Sequence, residues 1–121
     1  MTNDRPAAGP TFDLEERTAR FGEAVIHFAK KIPQHSITMP LTSQLVRAAT
    51  SVGACYCEAD NAESKKDFRH KIAISRKEAK ESRHWLRMVV AAVPELNSDA
   101  RVLWTEAKEL HLILSKIFHS S

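Results

Sequence analysis

The sequence predicts an all-α protein, an antiparallel up-down four-helix bundle whose third helix is long and basic. Three observations carry this expectation. The chain has three glycines and five prolines in 121 residues, and Pro6, Pro10, Pro33, Pro40 and Pro94 leave long stretches free of both. Such stretches favour helices over a turn-rich β fold. Apolar residues recur at steps of three and four in four separate segments, the period of a helix with one buried face. The connections between those segments are short, so successive helices are expected to lie side by side in opposite directions. With 43% hydrophobic and 27% charged residues, the chain reads as one ordinary globular domain.

Residues 1–11 read as a disordered tail and residues 12–121 as the bundle domain. Asp13 followed by Glu16 resembles a capping box, with a carboxylate in place of the usual hydroxyl. The first helix then aligns Phe21, Ala24, Val25, Phe28, Ala29 and Ile32 on one stripe, and Pro33 stops it. A second helix begins around Thr38–Leu41, with Pro40 tolerated in its first turn. Leu41, Leu45, Ala48, Ala49, Val52, Tyr56 and Ala59 mark its inner face. Gly53 costs about 1 kcal/mol relative to alanine inside a helix, so a neighbouring helix is expected to approach closely there. Asn61 is placed at the end of this helix in the left-handed conformation.

Ser64, with Asp67 three residues on, starts the third helix. Its seam is Phe68, Ile72, Ser75, Ala79, Ser82, Leu86, Val89 and Val93, at alternating steps of four and three. Pro94 follows. Asn97 or Ser98 caps a fourth helix, whose inner face is Ala100, Leu103, Ala107, Leu110, Leu114 and Ile117.

Charge is distributed unevenly. Residues 64–93 hold nine Lys/Arg against three Asp/Glu, a net +6, while the chain as a whole carries +3. On the third helix Lys65, Arg69, Arg76, Lys80, Arg83 and Arg87 fall within about 60° of one another at about 100° per residue. A stripe of this kind is either a solvated face, partly neutralised by Glu78 and Glu81, or a surface that meets backbone phosphates without reading sequence. A second face carries Ile74, Glu78, Glu81, Trp85 and Met88. It either widens the core or packs against another subunit, and Trp and Met favour the subunit interface.

Other chemistry is poorly supported. The six histidines, His27, His35, His70, His84, His111 and His119, show no HExxH or comparable spacing. No Gly-rich phosphate loop is present, and no nucleophile is paired with a base. Cys55 and Cys57 point about 200° apart on a helix, which excludes an unstrained disulfide and suggests reduced, partly buried thiols. No metal site, cofactor or enzymatic activity is expected. No apolar run approaches the roughly 20 residues of a membrane span, and the start of the chain lacks the apolar core of a secretory signal. A cytoplasmic location is therefore expected.

Three runs carry a family resemblance: Phe12-Asp13-Leu14-Glu15-Glu16-Arg17-Thr18; Leu45-Val46-Arg47-Ala48-Ala49-Thr50-Ser51-Val52-Gly53-Ala54 with Glu58-Ala59; and Glu63-Ser64-Lys65-Lys66-Asp67-Phe68 with Lys77-Glu78-Ala79-Lys80-Glu81-Ser82-Arg83-His84-Trp85-Leu86. Over residues 12 to about 119 the chain resembles the 23S rRNA-intervening sequence protein family. The resemblance implies a long four-helix bundle that assembles as a ring-like homopentamer. Relatives include the accessory variability determinant of diversity-generating retroelements, a basic pentamer that binds nucleic acid and a reverse transcriptase. Glu58 and Glu81 fall where relatives carry Glu, and hydrogen-bonding or intersubunit salt-bridge roles are expected for them. Cys55 stands where the family usually has Asn.

Together, residues and resemblance suggest a non-enzymatic oligomer that binds DNA or RNA through its basic helix, as an accessory factor. The alternative is a protein–protein adaptor whose stripe docks an acidic partner.

Overall fold

Four helices, and no strand, make up residues 13–121, the part of the chain that the computed structural model describes. The tail expected over residues 1–11 lies outside it. Helix α1 spans Leu14–Ala29, and Asp13 opens it by accepting the Glu16 N–H through its carboxylate at 3.3 Å. The helix ends before Pro33 is reached. Two tighter turns follow, in which Lys31 N–H donates to the Phe28 carbonyl and Ile32 N–H to the Ala29 carbonyl. These turns swing Ile32 back into the core, where it is buried.

Helix α2 spans Thr38–Asp60, with Pro40 in its first turn. Its start is held from within the preceding loop. The buried Thr38 hydroxyl donates to the Pro33 carbonyl and accepts the His35 N–H at 3.0 Å. Its end departs from expectation, because Asn61 has φ −107° and ψ 14° and not the left-handed conformation. The Asn61 amide instead donates back to the Cys57 carbonyl at 3.0 Å, satisfying one of the last orphan carbonyls without a reversal of the chain.

Helix α3 spans Lys65–Ala92, and the Ser64 hydroxyl caps it by accepting the Asp67 N–H at 3.0 Å. A single 3-10 turn at Pro94–Leu96 leads into α4, Asn97–Ser120. Neither Asn97 nor Ser98 caps α4. Both lie inside it, and the cap position is Leu96, which supplies no side-chain acceptor. The Pro94 turn already bends the chain into helical geometry, so the helix starts earlier than a side-chain signal would place it.

The helices pack in chain order, α1 on α2, α2 on α3 and α3 on α4, with a lighter contact between α1 and α4. Their inner faces form one core that includes Phe21, Val25, Leu45, Val52, Ile72, Leu86, Leu110 and Leu114. The α3 seam is buried from Ile72 to Val89, whereas Phe68 is only half-buried. Both seam serines are satisfied: Ser75 donates to the Val52 carbonyl at 2.7 Å and Ser82 to the Glu78 carbonyl at 2.8 Å. On α1 the buried stripe is rotated from the expected one, since Ala24 is exposed while Thr18 and Gly22 are buried. Thr18 faces Gly53, and a methyl group added at Gly53 would lie 3.1 Å from the Thr18 hydroxyl oxygen. The expected close approach of a neighbouring helix occurs here.

The light α1–α4 contact is fastened by Arg17. Its guanidinium donates to both oxygens of Glu106, at 2.7 and 2.9 Å, and to Glu109 at 2.8 Å. Charge-assisted, two-pronged contacts of this kind fix orientation as well as distance.

Candidate nucleic-acid interface

The basic stripe lies along the junction of α3 and α4, and its six cations fall into two groups. Lys65, Lys80 and Arg87 are exposed. Arg69, Arg76 and Arg83 are half-buried, because α4 supplies aromatic surface beneath them. The Arg69 and Arg76 guanidinium carbons lie 4.2 and 4.3 Å from the centre of the Phe118 ring, and that of Arg83 lies 4.5 Å from the centre of Trp104. Between them, His111 Nδ1 lies 3.2 Å from the Arg76 carbonyl oxygen. Two seven-residue rows therefore meet: Arg69, Arg76 and Arg83 on α3, and Phe118, His111 and Trp104 on α4. Numbers rise along one row as they fall along the other.

These contacts assign different work to the three arginines. Arg69 donates to the Phe118 carbonyl at 2.9 Å and the Ser121 carbonyl at 2.7 Å, so it serves the C-terminal end of α4, where a cation also meets the negative end of the helix dipole. Among the described residues Arg76 and Arg83 make no such bonds. Stacking on an aromatic ring holds a guanidinium in place by its face and leaves its edge to donate in the plane, the geometry suited to phosphate oxygens. Arg83 Nε is an exception, being buried with no partner among the described residues.

Among the described residues, no Asp or Glu side chain pairs with any of the six stripe cations. The two that sequence offers for neutralising them, Glu78 and Glu81, turn the other way. Glu78 is 8% exposed and accepts from Arg47 Nη1 with both oxygens at 3.2 Å, while Glu81 accepts from Arg47 Nη2 at 2.9 Å. The pair with Glu78, above all, raises the Arg47 pKa. The face expected to meet another subunit is thus engaged at Glu78 and Glu81 by α2 of the same chain. Ile74, Trp85 and Met88 complete that face and are half-buried. Trp85 packs on the core, meets His84 edge to face at 4.9 Å, and keeps its indole N–H buried with no partner among the described residues. Glu58 pairs with Lys71 at 3.0 Å, so its salt bridge also lies within the subunit.

Sequence reasoning missed the α4 half of the site. Trp104, Phe118, Arg101 and Lys108 were outside the basic stripe, yet the seven-residue spacing of Trp104, His111 and Phe118 was a signal that could have found the aromatic row. Lys108 Nζ lies 5.7 Å from the centre of Trp104. Between the C-terminal half of α3 and the N-terminal half of α4 runs a groove of about 390 Å³, lined by Leu86, Arg87, Val90, Ala100, Arg101 and Trp104 among others.

His70, Lys77 and His84 are exposed. Among the described residues no group of three or more His, Cys, Asp or Glu is placed to hold a metal ion, and no helix is long and apolar enough to cross a membrane. Cys55 and Cys57 are free and half-buried, and burial pushes both thiols up in pKa.

Comparison with protein families decides the kinship, since the model of the 23S rRNA-intervening sequence proteins matches residues 11–116. The chain belongs to this family. A search of curated proteins finds no match. Among solved structures, the chain is similar to a protein of unknown function from the S23 ribosomal protein family of Bacteroides thetaiotaomicron VPI-5482. The TM-score is 0.77 at 23% identity, covering 87% of this chain and 97% of the other. At that identity the likeness speaks for the fold alone, and it covers nearly the whole of both chains.

Proposed function

We propose that this member of the 23S rRNA-intervening sequence protein family is a non-enzymatic, self-associating helical protein that binds nucleic acid by charge along the α3–α4 junction. The observation that carries this reading is the pairing pattern. Seven ion pairs join described residues, and none includes a stripe cation. Glu78 and Glu81 sit on the same helix as the stripe but are held by Arg47. An unneutralised row of this kind is what releases counterions from a phosphate backbone. Without a groove-reading helix motif, the contacts are expected to position the nucleic acid and not to read its sequence.

Self-association would repeat the row around a ring, so that weak contacts act together. The resemblance supports a homopentamer of up-down bundles, with Ile74, Trp85 and Met88 as the apolar part of the interface. It also supports a role as an accessory factor, with a polymerase such as a reverse transcriptase as protein partner.

The test is binding of generic DNA and RNA by fluorescence anisotropy between 50 and 200 mM salt. Affinity should fall steeply with salt. The double variant Lys80→Glu, Arg87→Glu should weaken binding at least about tenfold and flatten the salt slope by about 2, because both residues are exposed and neither supports the core. Absence of binding at low salt overturns the reading. Light scattering that gives the monomer mass of 13.6 kDa at micromolar concentration overturns the ring.

A further inference from the structure

We propose that the groove between the C-terminal half of α3 and the N-terminal half of α4 is a subsite for one nucleotide of a single strand, with the base against Trp104 and its phosphate between Arg87 and Arg101. This rests on the nucleic-acid reading and goes beyond it. A charged stripe alone gives no preference for single strands over duplexes, whereas this subsite does.

The groove combines the two things a nucleotide needs. Its floor is apolar, formed by Leu86, Val90 and Ala100, and the half-buried Trp104 stands in its wall. Its volume of about 390 Å³ falls within the range of small-molecule sites and is ample for a single base. Arg87 and Arg101 line it from opposite helices. Both are exposed, and neither pairs with a carboxylate among the described residues. Asp99, two residues before Arg101, pairs with Lys31 at 3.0 Å, and no acidic side chain lines the groove among the described residues. Arg83 and Lys108 lie over the Trp104 ring but neither lines the groove, so the part of the ring that does line it is what meets the base, with positive potential beside it. Stacking tolerates any base, because every base offers a π-face. In a duplex the bases are stacked on one another, so a strand must be single to use the groove.

The experiment uses the full chain with an oligothymidylate of about 15 nucleotides and a duplex of the same length. Binding is followed by anisotropy of a label on the nucleic acid, and by tryptophan emission. The chain has two tryptophans, so Trp85→Phe leaves Trp104 as the reporter. The single strand should quench Trp104 as it saturates. Trp104→Leu keeps the position apolar but removes the ring, and should weaken single-strand binding about tenfold, the size of one lost base stack, with duplex binding changed less than about twofold. Arg87→Gln with Arg101→Gln, both at exposed positions, should lower affinity for the single strand more than for the duplex. Trp104 emission unmoved while anisotropy shows the strand bound would overturn the subsite and leave the charge reading standing. Equal losses for strand and duplex in the Trp104→Leu protein would do the same. No anisotropy change with either nucleic acid overturns both.

Discussion

Arg47 on α2 holds the carboxylate of Glu78 on α3 with one nitrogen, contacting both oxygens at 3.2 Å, and reaches Glu81 with another at 2.9 Å. Glu78 is the one charged residue buried among the described residues. Arg47→Ala would leave that carboxylate in the α2–α3 interface without its counterion. The expected loss is about 1–3 kcal/mol, toward the lower end because Arg47 is itself half open to water, where screening weakens the pair. Urea unfolding measures it. Nucleic-acid binding by the folded variant should be unchanged, since Arg47 lies off the α3–α4 junction.

Gly53 and Gly22 respond differently to alanine. At Gly53 the new methyl lies 3.1 Å from the Thr18 hydroxyl, which is itself held by the Leu14 and Glu15 carbonyls, so a buried, bonded side chain must give. The strain, typically 1–3 kcal/mol, should exceed the roughly 1 kcal/mol gained in helix propensity. At Gly22 the closest atom is 3.5 Å away, an ordinary contact. Gly22→Ala should therefore stabilise by about 0.5–1 kcal/mol and Gly53→Ala should not. Thermal midpoints of the two variants should move in opposite directions.

Stability should fall on the alkaline side. Burial raises the pKa of Cys55 and Cys57 above 9.0, and of Tyr56 above 10.0. An acid that holds its proton more tightly when folded adds no penalty below its unfolded pKa. From there upward the unfolded chain sheds protons more readily, and the folded state loses ground until pH passes the folded pKa. The urea midpoint should thus decline from about pH 9 upward, and replacing both cysteines with alanine should flatten the first part of the decline. The same shifts make both thiols slow toward a thiol reagent at pH 8, relative to a free cysteine.

Arg69 is expected to act on α4 more than on any ligand. Its two bonds to the Phe118 and Ser121 carbonyls and its place over the Phe118 ring tie down the last turn. Arg69→Ala should speed amide hydrogen exchange near residues 117–121 several-fold while leaving α1 and α2 protected as before. Its effect on nucleic-acid affinity should be smaller than that of Lys80→Glu.

Much of the fold was legible because helices write their inner faces and starts into local spacing. Asp13 and Ser64 cap where a short polar side chain precedes a helical run, and the run Ile72, Ser75, Ala79, Ser82, Leu86 and Val89 is buried as its period implies. What was not legible depends on neighbours. The three- and four-residue period places Arg69, Arg76 and Arg83 on one face of α3, but it says nothing of the rings that α4 lays beneath them. Nor does it reveal that Arg47 claims Glu78 and Glu81 from across the helix pair. Leu96 as an uncapped start, and Asn61 outside the left-handed region, arise from how Pro94 and the α2–α3 connection bend, which nearby residue types do not determine.

The contact between Thr18 and Gly53 also bears on how the family can diverge. Helices α1 and α2 meet there with no slack for an extra methyl, so neither position can enlarge on its own. A lineage that acquires alanine at 53 is expected first to lose the hydroxyl at 18, as alanine or glycine there would, because that oxygen makes the tightest contact. The two sites, 35 positions apart in the chain, should therefore change in a fixed order across descendants, as a single heritable unit.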